Sequence, residues 1–245
     1  MTKKRLDVLL AERGLAASRE KARAVILAGE VRLGDRVLDR PGLLLPEDAE
    51  IRVLAKMPYV GRGGIKLAHA LDLFRIDVQG KTALDVGAST GGFTDCLLQR
   101  GACRVYALDV GRGQIDYRLR TDPRVVVIEE VNARYPFDLP EVVDIATVDV
   151  SFISLTRVLP SVLAQVKPSG TVLALVKPQF EAERRHVQRG GLVKDPRVHA
   201  QVLGRIVAWV VARGVRLRGL TASPITGGDG NREFFVQLEV SPDGA

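Results

Sequence analysis

Leu84 to Asp95 reads LDVGASTGGFTD, and this stretch decides the fold. A short apolar run, Thr82 to Val86, leads into Gly87, Ser89, Gly91 and Gly92, and a helical pattern starts near Phe93. Glycines at such a turn let the backbone bend sharply and approach a ligand that a Cβ would exclude. An open α/β sheet builds its nucleotide pocket this way, outside the carboxyl end of its first strand. In the G-x-G-x-x-G register Gly87 and Gly92 fit, but Ser89 takes the middle place, where a diphosphate needs glycine. A nucleoside ligand without a diphosphate, such as S-adenosylmethionine, fits the loop better. Taken alone, the stretch also fits a structural turn with no ligand.

Downstream the pattern alternates strand and helix, as a parallel sheet needs. The expected strands are Thr82 to Val86, Val105 to Val110, Val125 to Glu129, Val143 to Asp149 and Thr171 to Lys177. The expected helices are Gly92 to Arg100, Gln114 to Arg120, Leu155 to Val166 and Val198 to Arg213. Arg216 to Thr221 and Glu233 to Val240 read as a closing antiparallel pair, joined by the Gly-rich segment Ser223 to Asn231. Seven strands ending in a hairpin is the layout of class I methyltransferases, a Rossmann-like α/β fold with a mixed sheet.

Ligands of such a sheet gather at the carboxyl ends of its strands. Asp85, Gly87, Asp109, Asp149 and Lys177 fall there. Asp109 lies 22 residues after Gly87, where an acid can accept both ribose hydroxyls of a nucleoside. A lysine closing an apolar strand is costly to bury unless paired, so Asp149 and Lys177 are expected to share one pocket. Their alternative is an ion pair that only closes the sheet top. If the last strand runs antiparallel, Glu233 reaches the same rim beside Lys177. Lys66, among apolar neighbours at the start of the helix bearing Leu67, Leu71 and Phe74, can reach it too; a plain exposed lysine is the other reading.

Ahead of this region, Leu6 to Leu10 start a short helix that Gly14 ends, and Ser18 sits at the N-cap position of a second helix, Arg19 to Ala28. Gly29 stops it. Val31 to Val37, with a Gly34-Asp35 turn, reads as a hairpin, and Ile51 to Leu54 as a closing strand. Lys3, Lys4, Arg5, Arg13, Arg19, Lys21 and Arg23 make this part basic. Arg19 and Arg23, four apart, share a helix face as phosphate contacts would, and a solvated face is the plain alternative. Arg184, Arg185, Arg189 and Lys194 form a mobile-looking basic loop that either grips phosphates, closes over the site, or is simply solvated.

Several of these motifs carry a resemblance. RLDVLLAERGLAASREKARAVILAGEVRLGDRVLDRPG resembles the S4-type RNA-binding domain. Lys66, Asp149, Lys177 and Glu233 match in order and context the Lys-Asp-Lys-Glu set of FtsJ/RrmJ-type ribose 2′-O-methyltransferases. The whole order of motifs (S4-type domain, RGGIKL, DVGASTGGFTD, DVSFISL, VKPQFE, GGLVKD, GNREFF) resembles the TlyA/hemolysin A family from Leu6 to Val240. Where that family commonly carries an aromatic within an Arg-x-Trp type linker tetrapeptide, this chain has Leu54-Ala55-Lys56-Met57.

The resemblance implies an S4-type RNA-binding domain over 1–54, a linker over 55–60 and a methyltransferase domain over 61–245. It implies methyl transfer from S-adenosylmethionine to a ribose 2′-hydroxyl, on cytidines of the small or large ribosomal subunit or both. Lys177 is the candidate base, with Lys66 lowering its proton affinity and Asp149 and Glu233 orienting the two lysines. The expected cofactor contacts are Asp85, Gly87, Ser89, Gly91, Gly92, Phe93, Asp109, Asn132 and Asp149. The expected RNA contacts are Lys3, Lys4, Arg5, Arg19, Lys21, Arg23, Arg62, Arg184 and Arg185. Three other readings stand beside this one. They are an RNA-binding module with a dead site, a membrane-acting haemolysin, and a nicotinamide dehydrogenase, which Ser89 and the basic N-terminal part disfavour.

The whole chain bounds these readings. Its 245 residues, 46% hydrophobic, suffice for more than one domain and a full core. A net charge of +7 favours a polyanionic partner. Cys96 and Cys103, with three histidines, lack metal spacing, so no metal is expected, and two lone thiols suit a reducing cytoplasm. No apolar run reaches bilayer length, and MTKKRLDVLL is too short and charged for a signal peptide. No internal repeat stands out, and a monomer is expected.

Overall fold

Continuous apolar runs such as TALDV and VDIATV make stable strands only where both sheet faces are covered, which is what βαβ crossovers provide. The computed structural model describes residues 3–27, 29–34, 36–53, 57–227 and 230–241. They form two units that divide between Met57 and Pro58. Ala28, Asp35, Leu54 at the end of the expected closing strand, the linker residues Ala55 and Lys56, and Gly228 and Asp229 lie outside the described residues.

In the first unit β1 (Lys3–Arg5) runs into α1 (Leu6–Glu12), followed by α2 (Arg19–Leu27), β2 (Val31–Leu33), β3 (Arg36–Val37), β4 (Leu44–Pro46) and β5 (Ile51–Val53). Ser18 caps α2, accepting from the Lys21 backbone N–H at 3.2 Å. β2 pairs antiparallel with both β3 and β5. β1 pairs with β4, two short strands that carry no period-two pattern and were not expected. Leu6, Leu9, Leu10, Ala22, Ile26 and Val31 close a small core.

The second unit begins with α3 (Gly63–Phe74) and alternates β6 (Thr82–Val86), α4 (Gly92–Gln99), β7 (Arg104–Leu108), α5 (Tyr117–Arg120), β8 (Val125–Ile128), β9 (Val143–Val148), α6 (Leu155–Leu163) and β10 (Val166–Val176). A single turn, α7 (Pro178–Glu181), then α8 (Pro196–Val211), β11 (Arg216–Ala222) and β12 (Phe234–Glu239) complete it. The seven-stranded sheet has the order β11-β12-β10-β9-β6-β7-β8. β12 runs antiparallel to β10 and β11, and the rest are parallel. This is the expected Rossmann-like class I methyltransferase layout.

The boundaries differ from expectation where local chemistry intervenes. α5 starts at Tyr117 rather than Gln114 because Asp116 caps it, accepting from Arg118 N–H at 2.9 Å. α8 starts two residues early, with Asp195 as its cap and Pro196 in the first turn. β10 begins at Val166 instead of Thr171, across a register shift where Ser169 takes φ 61°. The helix before it therefore stops at Leu163.

Phe235, near the start of β12, is fully buried and stacked on Phe93 at 6.0 Å between centroids. Truncating it to alanine removes a large buried side chain and leaves a cavity between sheet and α4. Phe235→Ala should cost about 3–5 kcal/mol in denaturant unfolding of the full chain; a loss under about 1 kcal/mol would contradict this packing.

Candidate functional site

The site is built on the close approach of two strand ends. Gly87 follows β6 at φ 83°, and a Cβ there would lie 2.4 Å from the Asp149 carbonyl oxygen. Only glycine fits both the conformation and the gap. The Asp149 N–H donates to Val86 O at 2.9 Å, and the Gly87 and Ala88 N–H groups converge on Leu108 O at 2.8 and 3.1 Å. Three adjacent strands thereby end in one locked corner.

Asp109, one residue past β7, accepts N–H bonds from Ser89 at 2.8 Å and Gly111 at 2.7 Å. These fix its carboxylate at the wall of a cavity of about 810 Å³ lined also by Gly87, Ser89, Asn132, Asp149 and Phe152. A smaller pocket of about 130 Å³, lined by Arg62, Gly63, Gly92 and Phe93, shares Gly87, Ser89 and Asp149 with it. Asp149 is thus common to both.

Lys177 places Nζ 2.7 Å from Asp149 Oδ1 and donates to Ser151 Oγ at 2.8 Å. The contact with Oδ1 is an ion pair outside hydrogen-bond geometry, so that buried oxygen has a charge partner but no directed donor. Lys66, buried in the first turns of α3, pairs instead with Glu233 at 2.5 Å. Glu233 was expected beside Lys177; it sits just before β12, whose Phe234 is in register with Val176, but its carboxylate turns to α3. Gly227 leaves room for it, since a Cβ there would lie 2.4 Å from Glu233 Oε1. Among the described residues no hydrogen bond or ion pair joins the two lysine–carboxylate pairs.

The profile of the FtsJ-like methyltransferase family matches residues 59–240, and that of the S4 domain residues 4–51. The chain belongs to the FtsJ-like methyltransferase family. Its relatives lie in the TlyA/hemolysin A branch. It is 41% identical to the 16S/23S rRNA (cytidine-2′-O)-methyltransferase TlyA of Mycobacterium tuberculosis, over 98% of this chain and 91% of that protein. It is 49% identical to YqxC of Bacillus subtilis, named as a candidate rRNA methyltransferase, over 99% of this chain and 88% of that one. A solved structure described as a candidate hemolysin of Streptococcus thermophilus superposes with a TM-score of 0.76 at 42% identity, covering 98% of this chain and 90% of that one.

The cofactor of an FtsJ-like methyltransferase, S-adenosylmethionine, fits the residues present. Asp109 stands where ribose hydroxyls would be accepted, Ser89 takes the place of a diphosphate-binding glycine, and the large cavity has nucleoside dimensions. Asn132 lines it, its side chain accepting from Arg134 N–H at 3.0 Å. Asp85 departs from expectation. It is fully buried and lines neither cavity, and its oxygens accept from Thr94 at 2.7 Å and Thr147 at 3.0 Å, tying α4 to β9. Gly91 is also set back, against Leu119.

The far end of the basic 184–194 loop, expected to be mobile, is hydrogen-bonded to the rest of the unit. Asn231 accepts from Val193 N–H at 2.9 Å and donates to Gly191 O at 2.9 Å, and His199 Nε2 meets Val193 O at 2.7 Å. Arg184 and Arg185 remain exposed on it, as does Arg62 on its own segment. Sequence reasoning missed Arg134, Arg157, Phe152 and Phe180, which line the large cavity. An aromatic three residues after Asp149, in DVSF, was the available signal.

Burial pushes the Asp85 carboxyl up to about 7, against the two threonine hydrogen bonds and with added repulsion from Asp149. The folded chain then holds a proton that the unfolded chain releases near pH 4. The resulting stabilisation is complete below that pH and disappears as pH rises through about 7. Asp85→Asn should flatten unfolding free energy against pH across this window. A variant whose slope equals that of the parent would show that Asp85 ionises normally.

Proposed function

We propose that this chain transfers a methyl group from S-adenosylmethionine to the 2′-hydroxyl of a cytidine ribose in ribosomal RNA. The observation carrying this reading is the pairing of Lys177 with Asp149 at the cavity rim, backed by Lys66 with Glu233. The names of TlyA relatives as cytidine-2′-O-methyltransferases support the same substrate. In functional terms the chain divides into an S4-type RNA-binding part over 1–54, a linker over 55–60 and a methyltransferase part over 61–245, acting as a cytoplasmic monomer on ribosomal subunits.

The bound cofactor supplies an electrophilic methyl group on a positively charged sulfur. A ribose hydroxyl is a weak nucleophile and needs a proton acceptor within reach. Lys177 Nζ is that acceptor, aimed by Asp149 and Ser151. An amine takes a proton only in its neutral form, so Lys177 must arrive neutral to act. Lys66 and Glu233 brace the rim, and the alignment of reacting atoms carries much of the remaining acceleration.

Phe152 is 90% exposed at φ 63°, with Phe180 4.9 Å away between ring centroids. A bulky residue held in the left-handed region is strained, and such strain gathers at functional sites. Stacking an unpaired base is the work this exposed ring suits. Lys3, Lys4, Arg5, Arg19, Lys21, Arg23, Arg62, Arg184 and Arg185 are the proposed phosphate contacts.

Incubating the chain with labelled S-adenosylmethionine and isolated ribosomal subunits tests this. Label should appear at a ribose that resists alkaline cleavage. Lys177→Ala should lower the rate about 10²–10⁴-fold with RNA binding kept. Lys177→Arg, which keeps the charge but cannot accept a proton, should be no better. RNA binding without label on either subunit would sink the enzyme reading for these substrates.

A further inference from the structure

Within the first unit, Asp7 is a carboxylate with no exposed surface, and it is held by two arginines that are about half exposed. Arg5 Nε lies 3.0 Å from Oδ1 and Arg5 Nη2 3.2 Å from Oδ2, a two-pronged contact; Arg19 Nε lies 3.0 Å from Oδ2. Asp7 lies in the first turn of α1, Arg5 precedes that helix, and Arg19 opens α2. One buried anion therefore ties together two helices and the strand before them.

The donors left over point to a purpose. Arg5 keeps Nη1, and Arg19 keeps both Nη groups, without a partner among the described residues. Neighbouring cations are committed differently. Lys4 pairs with Glu12 at 2.8 Å and Glu47 at 3.5 Å, and Arg13 donates to the carbonyls of Glu47 and Ala49. The planar guanidinium presents its donors as a rigid fork that suits phosphate oxygens.

We propose that Asp7 is a positioning residue that holds Arg5 and Arg19 as a two-arginine clamp for one backbone phosphate of RNA. This rests on the RNA-binding reading above and names the residue that makes the clamp. The paired arginines hold the Asp7 carboxyl down at about 2, so it stays charged at any working pH. Two rotamer-rich side chains are ordered before the ligand arrives, and that lowers the entropy lost on binding.

The sign of one substitution separates this from bulk electrostatics. Removing an anion beside a phosphate site should tighten RNA binding if only net charge matters. If Asp7 positions the arginines, Asp7→Asn should instead weaken binding about tenfold. Its effect should be non-additive with Arg19→Ala, as expected for groups in one network.

The experiment is equilibrium binding of the full chain to deproteinised ribosomal RNA over a salt series, with thermal unfolding recorded for each variant. Arg5→Ala/Arg19→Ala should weaken binding and reduce the slope of log K against log salt by roughly 0.7–0.9 for the lost phosphate contact. Arg19→Lys, which keeps the charge and the fold but loses the fork, should weaken binding as well, so the idea is testable even if Asp7→Asn does not fold. Tighter or unchanged binding by folded Asp7→Asn, or full binding by Arg19→Lys, would overturn the clamp while leaving RNA binding intact. A parent chain that does not bind RNA would overturn both readings.

Discussion

The corner where β6, β7 and β9 end is the constraint on which the methyltransferase unit depends. With a Cβ excluded at Gly87 by the Asp149 carbonyl, the backbones of two strands touch, and Asp149 is delivered to the wall of both cavities. The same corner leaves Ser89 to turn toward Asp109, which binds the loop back onto β7. Beneath it, Asp85 joins Thr94 of α4 to Thr147 of β9. A buried carboxyl bonded on both sides holds helix and strands in fixed relation, at the cost of carrying a group that resists ionising.

The two lysine–carboxylate pairs solve a problem of placement. A lysine near the end of an apolar strand or in a buried helix turn loses its hydration, and a carboxylate at short range offsets that loss only where the geometry is good. Lys66 and Glu233 meet this condition in a nearly closed setting. Lys177 is held by a less complete arrangement, with Asp149 Oδ1 lacking a directed donor and a serine sharing the ammonium. This difference in enclosure is in keeping with the roles proposed for them, Lys66 as a brace and Lys177 as the proton acceptor.

Charge is organised differently in the first unit. Its core, nine buried apolar residues among those described, is small, and small units gain proportionally less from burial. A buried aspartate joining two helices contributes cohesion there while leaving guanidinium donors facing outward.

The fold was legible in the sequence because its signals are local. Apolar runs of strand length, glycines after the first of them and a cap such as Ser18 act within a few residues of where they stand, so the order of strands and helices could be read. The β1–β4 pair was not legible, because Lys3–Arg5 is wholly charged and Leu44–Pro46 ends in a proline, so neither carries the β-branched, apolar signal that marks Val31 and Ile51. Candidate polar residues could be named from their positions at strand ends, since a parallel sheet sends all those ends to one side. Their partners could not. Glu233 and Lys66 stand 167 residues apart, and only the packing of α3 against the sheet beside an antiparallel β12 decides that Glu233 faces Lys66 rather than Lys177. Likewise, Asp85 and Asp109 read alike as acids at strand ends. The side to which each strand turns its last residues buries one under two threonines and leaves the other on the cavity wall. Chain chemistry determined which groups reach the rim; tertiary packing decided which of them meet, because contact between distant residues is set by register and layer and not by sequence spacing.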